Sequence, residues 1–221
     1  LAFLLRGLDA QLWGSGPWHP LYRDWCDGRS FNGLIKGCLH YEGPAVLVIR
    51  TAQGQIIGSF LTCWREGNGK FDGGPDTFLF SIAPVAQVFR SGRSGNYVYL
   101  NSKNKFHERG LGFGGQLGFC RLWLDADFDA CYVLESDATF GSGQLLPGGG
   151  LQTKFEASHV EVWGCGGEDA AAAQAKHRER EEGVREAARK VDRAKMLEND
   201  FDKEMFFGKT FKTDERERGG G

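Results

Sequence analysis

The amino-acid sequence predicts an α+β fold: a two-layer antiparallel β-sandwich with flanking N-terminal helices and a long C-terminal helix. At least seven short apolar stretches recur at intervals of roughly 8–12 residues, as in antiparallel sandwiches. Glycine makes up 33 of the 221 residues without a three-residue period, which excludes collagen and indicates many tight turns. A charged segment without proline ends the chain and predicts the long helix.

Two amphipathic segments come before the strands. In the first, five leucines spaced three or four residues apart would share one helical face: Leu1, Leu4, Leu5, Leu8 and Leu12. In the second, Ser30 can cap a helix over residues 31–39, and Gly43 with Pro44 would stop it. Because Arg6 follows the first apolar run instead of preceding it, we interpret this run as a helix and not as a secretory signal.

The strands follow these helices. Residues 45–50 and 56–64 predict a hairpin around the turn Gln53-Gly54. Further strands are predicted at residues 78–80, 88–89, 97–101, 119–124, 131–134 and 159–163.

The composition changes near residue 167, which predicts three parts of the chain. The sandwich domain takes residues 1–167, a charged helix takes residues 168–200, and a Phe-containing tail, partly extended, takes residues 201–221. Residues 168–221 contain 13 Lys and Arg and 14 Asp and Glu. A weak apolar stripe on this helix and the phenylalanines after it predict a surface for a partner, either the chain's own body or another protein. The candidate partner-binding residues are Val184, Val191, Leu197, Phe201, Phe206, Phe207 and Phe211.

Overall composition narrows the classes of function. The net charge of −2 argues against a dedicated nucleic-acid binder, which needs a surplus of Lys and Arg. No apolar run approaches the roughly 20 residues that span a bilayer. Six cysteines without a CxxC pair indicate reduced thiols in a cytosolic compartment. We therefore expect a cytoplasmic protein, with a location at a membrane through a partner or in a cilium as the alternatives.

Motifs with catalytic or ligand-binding chemistry are weak. Asp125, Asp127 and Asp129 resemble the start of a calcium loop, but Ala130 and Ser136 stand where that loop needs Gly and Glu, so an acidic turn is favoured. The segments at residues 111–115 and 148–150 are rich in glycine but lack the Lys and the following helix of a phosphate loop. We predict no metal, no cofactor and no catalytic residue.

Histidine and cysteine leave two chemical alternatives open. His159 begins a predicted strand and could pair with a carboxylate, and a triad assembled in space stays possible in principle. Cys26 and Cys165 are expected in loops, and Cys165 precedes the charged helix, whose N-terminus could activate a thiol. A thiol-dependent antioxidant enzyme is therefore one alternative function.

Nine segments in order resemble the TLDc domain of the oxidation-resistance proteins, over residues 1–167. They are Asp27-Gly28-Arg29-Ser30-Phe31 with Leu34, Gly43-Pro44, Gly58-Ser59-Phe60 with Trp64, Phe78-Leu79-Phe80-Ser81, Tyr99-Leu100-Asn101, Leu111-Gly112-Phe113-Gly114-Gly115, Leu122-Trp123-Leu124-Asp125, Thr139-Phe140-Gly141 and Glu161-Val162-Trp163-Gly164. The resemblance implies a two-sheet sandwich without an established catalytic site. Six aromatic residues are then expected to fill the space between the sheets: Phe31, Trp64, Phe80, Trp123, Phe140 and Trp163.

The same resemblance implies a function in protein interaction. Family members are linked to protection against oxidative stress, and several bind the vacuolar proton-pumping ATPase (V-ATPase), in some cases with a helix that follows the domain. We expect a non-catalytic module that docks on a large assembly, with the V-ATPase as first candidate. A structural subunit of a cytoskeletal or ciliary complex is the alternative, since a long charged helix is equally natural there.

Overall fold

The computed structural model describes residues 16–62, 64–67, 69–92, 94–148 and 150–214, with side chains in the last helix up to residue 193 except residues 181 and 192. The helix predicted over residues 1–12 lies outside the described residues. In chain order the elements are β1 (His19–Arg23), α1 (Asp24–Asp27), α2 (Phe31–Cys38), β2 (Ala45–Thr51), β3 (Ile56–Leu61), β4 (Phe71–Asp72), β5 (Phe78–Ala83), β6 (Gln87–Arg90), β7 (Val98–Asn101), β8 (Gly110–Phe113), β9 (Leu122–Asp125), β10 (Cys131–Leu134), β11 (Ser136–Asp137), β12 (Gly141–Ser142), β13 (Gln152–Phe155), β14 (Ala157–Gly164) and α3 (Gly167–Asp214).

Helix α2 confirms the predicted amphipathic helix. The Ser30 hydroxyl accepts a hydrogen bond from the Gly33 N–H at 3.4 Å and so caps the first turn. The apolar positions at helical spacing are all buried, and they are Phe31, Leu34, Ile35 and Cys38. The one-turn helix α1 and strand β1 before it carry no clear periodicity in the sequence and were not predicted.

Two six-stranded sheets form the body of the protein. The first has the strand order β1-β14-β2-β3-β5-β6, the second has the order β13-β10-β9-β8-β7-β4, and β11 pairs with β12 beside them. All of these pairs are antiparallel. The hairpin predicted from residue 45 is present as β2 and β3, although β3 ends at Leu61 instead of residue 64. The structure confirms the α+β sandwich class.

Alternation along the strands places one side chain of every two between the sheets. Leu47 and Ile49 of β2 lie in the main core, whereas their neighbour Val46 belongs to a separate cluster on the outer face. Leu111 and Phe113 of β8 reach the same core from the second sheet.

The prediction that six aromatic residues fill the space between the sheets was half right. Phe31, Trp64 and Phe140 are in the main core. The other three are not: Phe80 lies in the outer cluster of the first sheet, Trp123 lies in that of the second, and Trp163 is only half-buried. The physical reason is that successive side chains of a strand point to opposite faces of the sheet. The neighbours of these residues, such as Leu79 and Leu124, point inward, so Phe80 and Trp123 point outward.

The glycines at residues 111–115, for which we favoured close backbone packing or bulges over a phosphate loop, lie in and just after strand β8, which was not predicted as a strand. It is a central strand in which glycine faces outward at every second position because the Trp123 indole crosses it. A Cβ on Gly112 would lie 2.6 Å from the Cys120 sulfur and 3.1 Å from Cε3 of Trp123. These contacts are too close for any side chain, so glycine is a packing requirement here.

Helix α3 is longer than the sequence indicated. Its backbone is helical from Gly167 to Asp214, whereas we expected a partly extended segment from residue 201. The sequence contains no proline between residues 168 and 221, so nothing in it breaks the helical backbone. The chain forms two compact units that divide between Gln174 and Ala175, seven residues after the predicted boundary at residue 167. In the described part of the chain, no helix combines the length and the apolar character that crossing a bilayer requires.

Candidate interaction site at the base of the C-terminal helix

Tyr41 anchors the chain where β14 passes into α3. The Gly166 N–H donates a hydrogen bond to the Tyr41 hydroxyl at 2.7 Å. A Cβ on Gly164 would lie 2.5 Å from Cζ of this ring, so only glycine permits the ring to pack there. Burial raises the pKa of Tyr41 above its ordinary value, which keeps the phenol neutral. The start of α3 is therefore held by a buried aromatic ring.

Gln174 fastens the second turn of α3 to the end of α2. Its side chain is 4% exposed, and its Nε2 donates to the carbonyl oxygens of Gly37 at 2.7 Å and Leu39 at 3.5 Å. Both carbonyls lie at the C-terminal end of α2. Ala170, one turn earlier, packs against the main core. The first two turns of α3 therefore belong to the body.

The candidate partner-binding residues lie on the part of α3 that follows. Val184 is 64% exposed and Val191 is 53% exposed, and a separation of seven residues places them on one face of the helix with Ala188 between them. The other candidates, Leu197, Phe201, Phe206, Phe207 and Phe211, have helical backbones in α3, but their side chains lie outside the described residues.

Exposed valines in a highly charged setting suit a helix that contacts another molecule. Every described side chain from residue 182 to residue 191 is exposed, and charged residues flank Val184 and Val191. In such a helix, exposure of the apolar side chains to water is unfavourable, and contact with another molecule would bury them. The described part of α3 therefore presents a narrow apolar face with polar edges.

The thiols differ from the sequence expectation. Cys165 lies in the short connection between β14 and α3, as expected for a loop residue, but it is buried, and burial raises its pKa to about 12. Burial also raises the pKa of Cys120 to about 12 and that of Cys131 still further. Cys26 is exposed, in α1 instead of a loop, and Cys63 lies outside the described residues. The helix N-terminus therefore does not activate Cys165, because a buried neutral thiol is a poor nucleophile.

The acidic turn behaves as the sequence predicted. The Asp125 carboxylate accepts hydrogen bonds from the N–H groups of Asp127 at 3.0 Å and Ala130 at 2.9 Å, so both of its oxygens are occupied by the turn's own backbone. Within the described residues there is no group of three or more His, Cys, Asp or Glu that could hold a metal ion. His159 has the carboxylate partner that we anticipated, with its Nδ1 3.4 Å from Oδ1 of Asp24.

Sequence reasoning missed the two residues that build the base of α3. Gln174 had a visible signal, because it is the one polar residue among the alanines at positions 170–175. Tyr41 had none of its own, although three glycines in four residues at positions 164–167 indicate a close approach of some bulky group.

Two antiparallel sheets and an anchored terminal helix define the architecture that is compared with known proteins. Residues 4–166 match the family model described as the TLDc domain. The chain belongs to the TLDc domain family, and the resemblance drawn from the nine segments is confirmed.

Several curated proteins are similar to this chain. MTOR-associated protein MEAK7 of Danio rerio is 36% identical over 155 residues, which cover 69% of this chain and 33% of that protein. The Homo sapiens protein of the same name is 33% identical over 152 residues, 67% of this chain and 32% of its own length. Nuclear receptor coactivator 7 of Gallus gallus is 32% identical over 162 residues, 72% of this chain and 16% of that protein. The chain spans about a third of the length of the MEAK7 proteins that it matches.

Proposed function

We propose that this chain is a non-catalytic TLDc interaction module that docks on a large protein assembly. The observation that carries the proposal is the combination in α3 of a base held by Tyr41 and Gln174 with an exposed apolar face at Val184 and Val191. A segment that is already helical loses less conformational freedom when it binds than an unfolded one, so a narrow apolar face is sufficient for recognition.

The absence of catalysis is part of the proposal. The buried thiols Cys120, Cys131 and Cys165 have raised pKa values, which disfavours the thiolate that reduction of peroxide requires. The thiol-dependent alternative would then depend on Cys26, on Cys63 or on the buried Cys38. Peroxide consumption by the intact chain, compared with a variant in which all six cysteines are serine, tests this. We expect no turnover from either; a turnover that the substitutions abolish would establish an enzyme.

The first candidate assembly is the V-ATPase, as the family resemblance implies, and the module would act in the cytoplasm and contribute to protection against oxidative stress. The relatives named MTOR-associated make an assembly that contains mTOR the nearest competitor. A cytoskeletal or ciliary complex is the third. All three assign the same binding role to α3 and differ only in the partner.

Affinity capture from cells with the intact chain as bait tests the proposal. Recovery of V-ATPase subunits supports the first candidate, whereas recovery of mTOR or tubulin-based components points to one of the others. The variant Val184→Ser/Val191→Ser should lose most of the captured assembly, since it removes the exposed apolar face. A second variant, Phe206→Ser/Phe207→Ser/Phe211→Ser, tests the end of the helix.

A matched control is Val85→Ser, because Val85 is 57% exposed but lies on the body between β5 and β6. Capture by this control should equal that of the unmodified chain. If the α3 variants and the control all capture the assembly equally well, docking through α3 is wrong.

A further inference from the structure

The loop between β7 and β8 exposes an aromatic side chain almost completely. We call residues 102–109 the Phe106 loop. Phe106 is 93% exposed, more than any other large apolar side chain described on the body, including Phe119 at 62% and Trp25 at 54%. Exposure of an aromatic ring to this degree has an unfavourable hydration free energy and no role in the packing of the fold.

The exposure of Phe106 does not come from a loosely held loop. Asn101 is buried at the end of β7, and its Nδ2 donates to the carbonyl oxygens of Asn104, His107 and Glu108 at 2.9–3.1 Å. The Asn104 N–H donates back to Oδ1 of Asn101, and the Phe106 N–H donates to Oδ1 of Asn104, both at 2.9 Å. The loop is therefore built around Asn101, and its shape presents the ring outward.

The charge around the ring is positive, although the chain as a whole carries −2. Lys103 and Lys105 both precede Phe106 and are exposed. The loop before β4 is joined to the Phe106 loop through Glu66, whose carboxylate accepts the Ser102 N–H at 2.8 Å and pairs with Lys103 at 3.4 Å.

The two loops together contain four exposed basic residues against two acidic ones. The basic residues are Arg65, Lys70, Lys103 and Lys105, and the acidic ones are Glu66 and Glu108. Arg109 is left out of this balance, because it lines a neighbouring cleft together with Asp127 and Asp129.

We propose that the Phe106 loop docks on an anionic membrane surface. The ring would enter the interfacial zone, where aromatic side chains are favoured, while Lys103 and Lys105 contact anionic headgroups through long flexible stems. An exposed aromatic ring with two lysines just before it suits a soft, negatively charged surface, which needs no shaped pocket. This contact is separate from the docking face on α3 and would hold the module at the membrane beside its partner.

Sedimentation of the intact chain with lipid vesicles tests the inference. The probes are vesicles of phosphatidylcholine alone and vesicles of phosphatidylcholine mixed with phosphatidylserine. We expect binding to the mixed vesicles only, and a weakening of about fivefold or more for Phe106→Ser and for Lys103→Gln/Lys105→Gln. Phe106→Trp should retain binding, because indole suits the interface at least as well.

The matched control is Phe119→Ser, which removes another exposed aromatic ring from the turn between β8 and β9. It should bind mixed vesicles as the unmodified chain does, and circular dichroism should show that each variant is folded. Equal binding by Phe106→Ser and the control would overturn the inference. A second result would also overturn it: the unmodified chain binds no vesicles, and the Phe106→Ser variant no longer captures a protein that the unmodified chain captures from cells. The loop would then recognise a protein. Neither outcome touches the α3 variants, so the two proposals can fail separately.

Discussion

Arg121 and Asp137 form an ion pair that is almost completely sealed from water. Nε of Arg121 lies 3.6 Å from Oδ1 of Asp137, and the two side chains are 0% and 2% exposed. The Asp137 carboxylate also accepts the N–H groups of Gly115, Thr139 and Phe140 at 2.8–3.0 Å. One carboxylate therefore holds the end of β8 and the turn between β11 and β12 together.

Arg121 completes this arrangement from the start of β9. Its Nη2 donates to the Gly143 carbonyl at 2.5 Å, and its Cζ lies 5.2 Å from the centre of the Phe89 ring. Its Nε and Nη1 are buried without a hydrogen-bond acceptor, which makes the charge of Asp137 the main compensation for burial of the guanidinium. Removal of that charge should therefore be severe.

The variant Asp137→Asn should lower the free energy of unfolding by about 3–5 kcal/mol, because it leaves Arg121 buried without a counterion. The double variant Arg121→Met/Asp137→Asn should recover part of this loss, since no charge then remains in the interior. Urea unfolding followed by circular dichroism measures both. Lys103→Gln, which breaks the exposed pair with Glu66, serves as the control and should cost less than about 1 kcal/mol. A loss for Asp137→Asn as small as that of the control would contradict the argument.

Local sequence patterns were sufficient to predict an element where its own residues show which side is buried and where it begins or ends. Helix α2 was predictable because its apolar positions and its Ser30 cap are all contained in nine residues. Strands β2 and β3 were predictable because a turn at Gly54 separates two apolar runs. In each case the sequence neighbours supply the contacts that define the element.

The sequence failed where the deciding contact is distant. Strand β8 was missed because it carries only Leu111 and Phe113 as strand formers, and Trp123, which packs against its glycines, is brought there only by the fold. The role of Gln174 depends on carbonyl groups 135 and 137 positions earlier in the chain. The ion pair of Arg121 and Asp137 likewise has no local signature, because charged residues are normally expected on the surface.

Gly164→Ala tests the anchor at Tyr41. The new methyl carbon would lie 2.5 Å from the ring, so the ring or the start of α3 must move, at a cost of about 1–3 kcal/mol. Thermal unfolding should show the loss. Gly95→Ala is the matched control, since an added Cβ there has no heavy atom within 4 Å, and its unfolding temperature should not fall. A tolerated Gly164→Ala would mean that Tyr41 does not hold the helix.

Gln174→Ala tests the link between α3 and the end of α2. Loss of its hydrogen bonds to the end of α2 should cost about 1 kcal/mol. Hydrogen exchange measured by mass spectrometry should then be faster in the first turns of α3, while exchange in β2 and β3 stays unchanged. Lys176→Ala changes an exposed residue two positions further along and should leave exchange as it was. Unaltered exchange in Gln174→Ala would show that the base of α3 is held in another way.

The buried thiols predict how stability depends on alkaline pH. The pKa of Cys165 is about 12 in the folded protein against an ordinary value of 9.0. A raised pKa means that folding favours the protonated thiol, so its contribution is fully present below pH 9.0 and is lost as the pH rises towards about 12. Urea unfolding across this interval should show stability falling with pH, and Cys165→Ala should reduce the slope. Val85→Ser is the control, because Val85 is exposed and carries no titratable group, and it should leave the slope unchanged. A slope that is identical in all three proteins would mean that Cys165 ionises equally in the folded and unfolded states.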